Sequence, residues 1–439
     1  MIKNSKQIIL NKIKQKNSII GIIGLGYVGL PLAMLMANKG FKIYGYDIDE
    51  KKINQLKKKK KKKKYKKKKK SNKKKKKKLR KNIFFNNFDN ISSCDILIIC
   101  VPTPLKENGN PNLEFITKTV NLVKNKLRSN QLLILESTSY PGTTRDLIVK
   151  KIEKKFKIGT NFFVGFSSER INPGSNENYI HKIPKVVSGY SSKCLELVDF
   201  FYKKFFKKTI KAKNLETAEL SKLLENIYRS INIGFINEMK FITDKMNLDI
   251  FEVLKISSTK PFGFVRFDPG PGIGGHCIPV DPIYLSWKAK QLGIDAKFIK
   301  LSGEINLKVL SFIYNKINIA RKKTKKTKIK FNILILGLSY KKNIDDLRES
   351  SSLKLINLLY KNKYKNISFS DPHIKNINSR NFSHRIKNVE LTKKNLKKFD
   401  LVILMTDHDK FNYDLIYKNS RLIIDTRGKF KIDSKVIRG

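Results

Sequence analysis

The chain has 439 residues, 40% of them hydrophobic, which supplies several cores and excludes a wholly disordered protein. Lys and Arg number 94 against 36 Asp and Glu, a formal net charge of +58 that first suggests a nucleic-acid binder. The distribution argues otherwise: 19 lysines fall within the 22 residues of Lys57 to Lys78, and the remaining +39 is spread along a chain rich in Lys, Asn and Ile, a skew that AT-rich coding produces.

Length points to about three domains. There is no run of about 18 apolar residues, so no membrane span is expected. Cys94, Cys100, Cys194 and Cys277 form no CxxC pair and no Cys/His cluster with zinc spacing, so neither a metal site nor a disulfide framework is expected. The N-terminal MIKNSKQIILNKIKQKN lacks the apolar run and cleavage site of a secretory signal. The expectation is a soluble, cytoplasmic, multidomain protein.

Short β-branched runs alternate with longer amphipathic stretches, the rhythm of parallel α/β sheets. Ser18 to Ile23 predicts a strand, Tyr27 to Lys39 a helix and Phe41 to Tyr46 the next strand, with Gly40 where a helix C-terminal glycine belongs. After the lysine tract, Asp95 to Val101, Gln131 to Glu136 and Phe162 to Phe166 read as buried strands. Helix across the tract would set like charges four apart repeatedly, each pair unfavourable by roughly a few tenths of a kcal/mol, so a mobile segment beside the cofactor site is expected. From Leu215 to about Met246 runs one long apolar-periodic stretch without proline; a Gly- and Pro-rich loop, Lys260 to Pro282, follows, and helical sequence then resumes. A basic linker, Arg321 to Lys330, precedes a second series of strands at Phe331 to Leu336, Ile367 to Ser370, Leu401 to Met405 and Leu422 to Ile424. The expected architecture is α/β: two Rossmann-like domains with parallel sheets, residues 1–212 and 323–439, joined by a central all-helical domain, 213–322, with one long helix.

In IIGIIGLGYVGLP, Gly24, Gly26 and Gly29 form G-x-G-x-x-G directly between a predicted strand and a predicted helix. The three glycines serve a tight turn, close approach of a pyrophosphate, and close helix–strand packing. The pyrophosphate would rest on the helix N-terminus, where unpaired N–H groups favour anions. Asp47 ends the second strand, 23 residues after Gly24, where a carboxylate accepts both ribose hydroxyls and repels a 2′-phosphate. NAD is therefore expected rather than NADP, with Lys39, Lys42, Lys51 and Lys52 as the nearby cations that would suit the phosphate instead.

The loop PGPGIGGHCIPVDP presents Cys277 after Gly274 and Gly275, two residues that let backbone approach a ligand without a Cβ in the way. Pro279 and Pro282 stiffen the exit, and Asp281 lies four residues past the cysteine. Free cysteines usually pack as small hydrophobes within apolar elements; one in a rigid, backbone-exposed loop reads as a nucleophile. In the long helix, Lys222 and Asn226 are four apart and share one face, where together they would hydrogen-bond a developing oxyanion or a water.

Seven motifs occur in one order: GLGYVGLP, VPTP, ESTSYPGTT, SSERINPG, ELSKLLEN, PGPGIGGHCIPVDP and GLSYKKNIDDLRESSS. Over nearly the whole chain they resemble the UDP-glucose/GDP-mannose dehydrogenase family, and KPFGFVRFDPGPGIGGHCIPVDPIYLSWKA resembles most closely its UDP-N-acetylglucosamine 6-dehydrogenase branch, which serves bacterial surface-polysaccharide synthesis. The resemblance implies a double oxidation of the sugar C6 alcohol to a carboxylate by NAD. Cys277 matches the nucleophile, forming a thiohemiacetal and then a thioester, and Glu169 matches the glutamate that hydrolyses it. Lys222 and Asn226 match the oxyanion pair, Asp281 the carboxylate beside the nucleophile, and Thr138 the hydroxyl near the reacting carbon.

For the cofactor the resemblance carries over Tyr27, Val28, Asp47, Lys52, Thr103, Thr138 and Arg348. For the substrate it carries over Glu169, Arg170, Ile171, Lys222, Asn226, Arg266, Gly274 and Lys341, the last in the UDP-binding domain. It also implies at least a homodimer with the long helix at its interface. Ser168 stands where the family usually has proline, and the lysine tract replaces a loop with Gly and Ser. The competing readings are a 6-dehydrogenase for UDP-glucose, UDP-N-acetylgalactosamine or GDP-mannose, or a polyanion binder acting through the tract. Only Tyr65 interrupts the tract as an aromatic, so any nucleic-acid binding there is expected to be nonspecific and salt-sensitive.

Overall fold

In the computed structural model, residues 4–65, 82–170, 177–275, 277–377 and 382–439 are described. The chain divides into two compact units, Met1–Glu225 and Asn226–Gly439, with the division inside the long helix Leu215–Lys245. That helix covers almost the stretch the apolar periodicity marks, as the absence of proline and glycine breaks over its first turns requires.

The first unit is built on strands β1 (Ile19–Ile23), β2 (Lys42–Tyr46), β3 (Ile83–Phe85), β4 (Ile96–Ile99), β5 (Gln131–Leu135), β6 (Phe162–Phe166), β7 (Lys185–Gly189) and β8 (Thr209–Lys211). They form one sheet in the order β3-β2-β1-β4-β5-β6-β7-β8. Ile20 sits opposite Ile43 on one side and Ile96 on the other. Alternate residues of β4 serve opposite faces: Ile96 and Ile98 join a core with Leu32, Met36, Leu197 and Phe201, while Leu97 and Ile99 join one with Ile116, Val120 and Val123. Both faces are covered by helices, so the strands read as continuous apolar runs, as a doubly wound sheet requires. One expectation fails in detail: β7 runs antiparallel to β6, so this sheet is not wholly parallel.

A helix that the sequence reading left out, Ser5–Lys14, buries Ile9 and Ile13 in the first of these cores. The expectation of no helix across the lysine tract is overturned for its first part, because the helix Glu50–Tyr65 continues through it. Ile53 and Leu56 pack against the core and start that helix, lysine is a good helix former, and each repulsion costs only roughly a few tenths of a kcal/mol. The rest of the tract lies outside the described residues.

The second unit carries β9 (Ile333–Leu336), β10 (Ile367–Ser370), β11 (Lys387–Asn388), β12 (Leu401–Leu404), β13 (Ile423–Asp425) and β14 (Val436–Arg438), all parallel, in the order β11-β10-β9-β12-β13-β14. Helices Lys297–Lys323 and Ser351–Lys361 cover one face through Val309, Ile313, Ile317, Leu355 and Leu359. Six strands of each sheet thus follow the order 3-2-1-4-5-6, which opens a crevice beyond the strand ends between the first and fourth strands.

Candidate active site

In the first crevice, Gly24 turns the chain out of β1 with a φ of +93°, and a Cβ there would stand 2.7 Å from the Cys100 carbonyl oxygen. A Cβ on Gly29 would stand 2.0 Å from the Gly24 carbonyl oxygen, so the helix Gly29–Asn38 starts in direct contact with the turn. Gly26 faces open space instead, with nothing within 4 Å of an added Cβ. Two glycines therefore close the turn, and the third leaves room for a diphosphate. Tyr27 is exposed and Val28 half-buried beside it.

The Asp47 carboxylate accepts the Leu25 amide at 2.8 Å and the Asp49 amide at 3.0 Å, and Lys52 Nζ donates to it at 2.6 Å. Burial works to raise the Asp47 pKa, but the Lys52 bond and the two amides outweigh it and hold the carboxyl below its ordinary value. Lys52 is thus paired with Asp47, so the two side chains together carry no net formal charge. Thr103, after β4, is buried, and Thr138, after β5, is half-buried. Glu219 of the long helix accepts the Gly142 amide, the Thr144 amide at 2.9 Å and the Thr144 hydroxyl at 2.6 Å, which ties that helix to the segment carrying Thr138. Burial pushes the Glu219 carboxyl up to about 7.

Glu169 sits just past β6 and is buried. Its Oε1 accepts the Arg170 amide at 2.6 Å, and Lys185 Nζ lies 3.4 Å from its Oε2. The same amine donates to Glu136 Oε2 at 2.9 Å, and the Tyr202 hydroxyl donates to Glu136 Oε1. Burial works against the charged amine, but Glu136 and Glu169 outweigh it and raise the Lys185 pKa above the ordinary lysine value. Arg170 pairs with Glu225. The Ser168 hydroxyl is buried without a hydrogen-bond partner among the described residues. Lys222 is buried one turn before the end of this unit, and Ile171 lies outside the described residues.

In the second unit, Cys277 is not in a loop, as its sequence suggested, but is the first residue of the helix Cys277–Gln291. Pro279 fits there because first-turn amides need no helical acceptor. The thiol is exposed at a helix N-terminus, where the dipole favours negative charge on sulfur. One turn on, Asp281 is buried and accepts the side-chain amide of Asn226.

The glycines before the cysteine also differ from expectation. A Cβ on Gly274 would stand 2.6 Å from Tyr340 Cβ, and one on Gly275 2.9 Å from the Tyr340 ring. Their missing side chains make room for Tyr340, not for a ligand. Gly275 N donates to the Arg348 carbonyl at 3.0 Å and Gly270 N to Asn237 Oδ1 at 3.1 Å, so the segment is pinned at both ends. Arg266 pairs with Asp268 at 2.8 Å.

The second crevice repeats the first. Gly337 leaves β9 with a φ of +81°, and a Cβ there would stand 2.5 Å from the Thr406 carbonyl oxygen. Lys341 follows on the same turn, half-buried; burial, Arg229 and Lys342 lower its pKa below the ordinary lysine value. Such a cluster of cations recognises phosphate. The Arg348 guanidinium is held by Asp346 at 2.6–3.1 Å.

The chain's matches to known proteins follow this anatomy. Residues 18–206 match the NAD binding domain of the UDP-glucose/GDP-mannose dehydrogenase family, residues 216–308 its central domain and residues 334–432 its UDP binding domain. The chain belongs to the UDP-glucose/GDP-mannose dehydrogenase family. It is an NAD-dependent oxidoreductase acting on a nucleotide sugar. It is 33% identical over 340 residues to the UDP-N-acetyl-D-glucosamine 6-dehydrogenase of Pseudomonas aeruginosa, covering 77% of this chain and 79% of that one. It is 32% identical over 431 residues to the UDP-N-acetyl-D-mannosamine dehydrogenase of Methanococcus vannielii, covering 94% and 93%. The solved UDP-D-ManNAc dehydrogenase of Pyrococcus horikoshii superposes with a TM-score of 0.80 at 27% identity, covering 94% of this chain and 96% of that one.

Sequence reasoning missed Glu136, Lys185, Tyr202 and Glu219. The signal was present for two of them: Glu136 is a carboxylate directly after the apolar run Gln131–Leu135, and Lys185 opens the apolar strand Lys185–Gly189.

Proposed function

We propose that the protein is a UDP-N-acetylhexosamine 6-dehydrogenase that oxidises the C6 alcohol to a carboxylate in two hydride transfers to NAD, for surface-polysaccharide synthesis. UDP-N-acetylglucosamine is the favoured substrate from the Cys277 segment; the similar proteins divide between UDP-N-acetyl-D-glucosamine and UDP-N-acetyl-D-mannosamine dehydrogenases. The observation that carries the reading is Cys277 at a helix N-terminus, one turn from the buried Asp281–Asn226 pair.

When bound, NAD would supply the hydride acceptor for both oxidations of C6, and the first, with the hydroxyl proton released to water, leaves an aldehyde. An aldehyde has no second hydride to give until a nucleophile adds, so the Cys277 thiolate adds to form a thiohemiacetal. Lys222 and Asn226 steady the oxyanion and Asp281 holds Asn226 in place. The second hydride transfer leaves a thioester. Glu169 then takes a proton from the water that hydrolyses it. Thr138 serves the reacting carbon. Gly24, Gly26, Gly29, Tyr27, Val28, Asp47, Lys52, Thr103 and Arg348 hold NAD. Arg170, Ile171, Arg266 and Lys341 hold the UDP-sugar.

The domains assigned are 1–212 for NAD, 213–322 for the cysteine and 323–439 for UDP. Leu220, Leu224, Tyr228, Phe235 and Ile242 are exposed on the long helix, which supports its use in a homodimer or higher homo-oligomer. A cytoplasmic location fits the NAD and nucleotide-sugar supply; among the described residues no helix is long and apolar enough to cross a membrane.

Product analysis tests the reading, with NAD and either UDP-N-acetylglucosamine or UDP-N-acetylmannosamine, and Cys277→Ser as control. The expected result is two NADH per sugar and loss of turnover in the variant. One NADH with accumulating aldehyde removes the double oxidation, and no NADH from UDP-N-acetylglucosamine removes that substrate.

A further inference from the structure

Behind Glu169 lies a charged cluster that the mechanism above does not use. Lys185 Nζ stands 2.9 Å from Glu136 Oε2 and 3.4 Å from Glu169 Oε2, and Tyr202 donates to the other Glu136 oxygen. Lys185 is 3% exposed, Glu136 1% and Tyr202 0%, so water does not screen these charges. Isolated charges are not retained at such depth without a partner, and breaking one member of such a set leaves the others uncompensated. The amine also lies 5.3 Å from the ring centroids of Tyr202 and Phe206, which wall it on the far side. Glu169 alone of the two carboxylates sits on the segment that follows β6, with its Oε1 on the Arg170 amide. Both of its oxygens are thus oriented, one by backbone and one by Lys185.

We infer that Lys185 is a positioning residue for Glu169, fixing its carboxylate and supplying a counter-charge beside it, with Glu136 and Tyr202 fixing Lys185 in turn. The inference rests on the role proposed for Glu169. In that step a water O–H bond breaks, the proton passes to the Glu169 carboxylate, and the oxygen bonds the acyl carbon. The C–S bond then breaks and Cys277 leaves as thiolate. A carboxylate pair sharing one cation responds in opposite directions to loss of the cation and loss of the second carboxylate.

The test uses full-length Lys185→Met, Lys185→Arg and Glu136→Gln, with stopped-flow NADH traces and mass spectrometry of the Cys277 adduct across pH. In Lys185→Met, hydrolysis relative to the first hydride transfer is expected to fall roughly ten- to hundredfold, less than the loss of a catalytic base itself. A burst of NADH then precedes slow turnover, the thioester accumulates on Cys277, and the acidic limb of the hydrolysis profile moves to higher pH. Lys185→Arg restores most of the rate, and Glu136→Gln moves the acidic limb to lower pH. Limbs that stay in place in both variants, or move in the same direction, overturn the inference. If Lys185→Met does not fold, the Arg and Gln variants still decide it by rescue and by the direction of the limb. Failure of the functional reading is separate: it shows as wild-type protein making no NADH from any UDP-N-acetylhexosamine.

Discussion

The Asp371 carboxylate accepts the backbone amide of Leu338 at 2.7 Å, repeating in the second sheet the bond that Asp47 accepts from Leu25 at 2.8 Å in the first. In each case a glycine with positive φ leaves the first strand, the next residue is leucine, and the aspartate follows the second strand. The two aspartates differ in what else they hold. Asp371 also accepts the His373 amide at 2.8 Å and the Ile374 amide at 3.0 Å, and pairs with His408 at 3.1 Å. Asp371 thus faces five protein groups, counting the Ser339 amide at 3.3 Å, whereas Asp47 accepts from three, one of them the half-exposed Lys52.

Asp47→Asn and Asp371→Asn should therefore separate. The first is expected to raise the NAD KM roughly tenfold or more and to narrow the preference over NADP, since hydrogen bonds to a charged group are worth about 1.5–3 kcal/mol. The second is expected to lower unfolding free energy by a similar amount without moving the NAD KM. Steady-state kinetics with both cofactors and denaturant unfolding check the pair. An NAD KM that rises in Asp371→Asn contradicts the assignment.

Two glycines of the fingerprint should also part company. An alanine Cβ at Gly29 meets the Gly24 carbonyl at 2.0 Å, while one at Gly26 meets nothing within 4 Å. Gly29→Ala is expected to lower the Tm by several degrees, because backbone must move to relieve the overlap. Gly26→Ala should leave the Tm near wild type and raise the NAD KM. Equal effects on Tm would show that Gly26 does not face the cofactor.

Lys341 stands among Arg229 and Lys342 on the turn after β9. Lys341→Met is expected to raise the nucleotide-sugar KM roughly tenfold, the order of one charge-assisted hydrogen bond, and to leave the NAD KM unchanged. A rise confined to NAD would reassign this crevice.

Lys240 gives a pH dependence with a definite sign. Its amine is buried on the long helix, with no hydrogen-bond partner among the described residues, and lies 5.2 Å from the Phe312 ring centroid. Burial first, then Arg427, lower its pKa to about 7. The folded chain therefore binds this proton less readily than the unfolded one. The contribution to stability is fully present above the ordinary value of 10.5 and is lost as the pH falls to about 7. Lys240→Met is expected to be more stable than wild type at pH 7. It should also remove a slope of up to roughly 1.4 kcal/mol per pH unit above that pH. Denaturant unfolding between pH 7 and 10 measures it, and an unchanged slope refutes it.

Both sheets, the long helix and the NAD turn were legible because each is written in local sequence. Continuous apolar runs such as Ile96–Ile99 mark strands covered on both faces, and Gly24, Gly26 and Gly29 mark a turn whose sterics are local. The start of the cysteine helix was misread because Gly274 and Gly275 resemble a ligand-facing loop, and nothing nearby in sequence announces Tyr340, 66 and 65 positions away. The helix through the first lysines was misread because repulsion was counted without the packing of Ile53 and Leu56.

The sequence by itself determined the fold class, the NAD-type acidic residue Asp47 and the Cys277 motif, since backbone sterics and periodicity act within a few residues. Only tertiary structure decided which charges share a partner. Glu136 and Lys185 lie 49 residues apart and Asp371 and His408 lie 37 apart, yet each pair is buried together. A buried ion takes whatever partner the packing brings to it, and the chain folds distant segments together to exclude water from apolar surface, with no local sequence rule to say which side chains will meet.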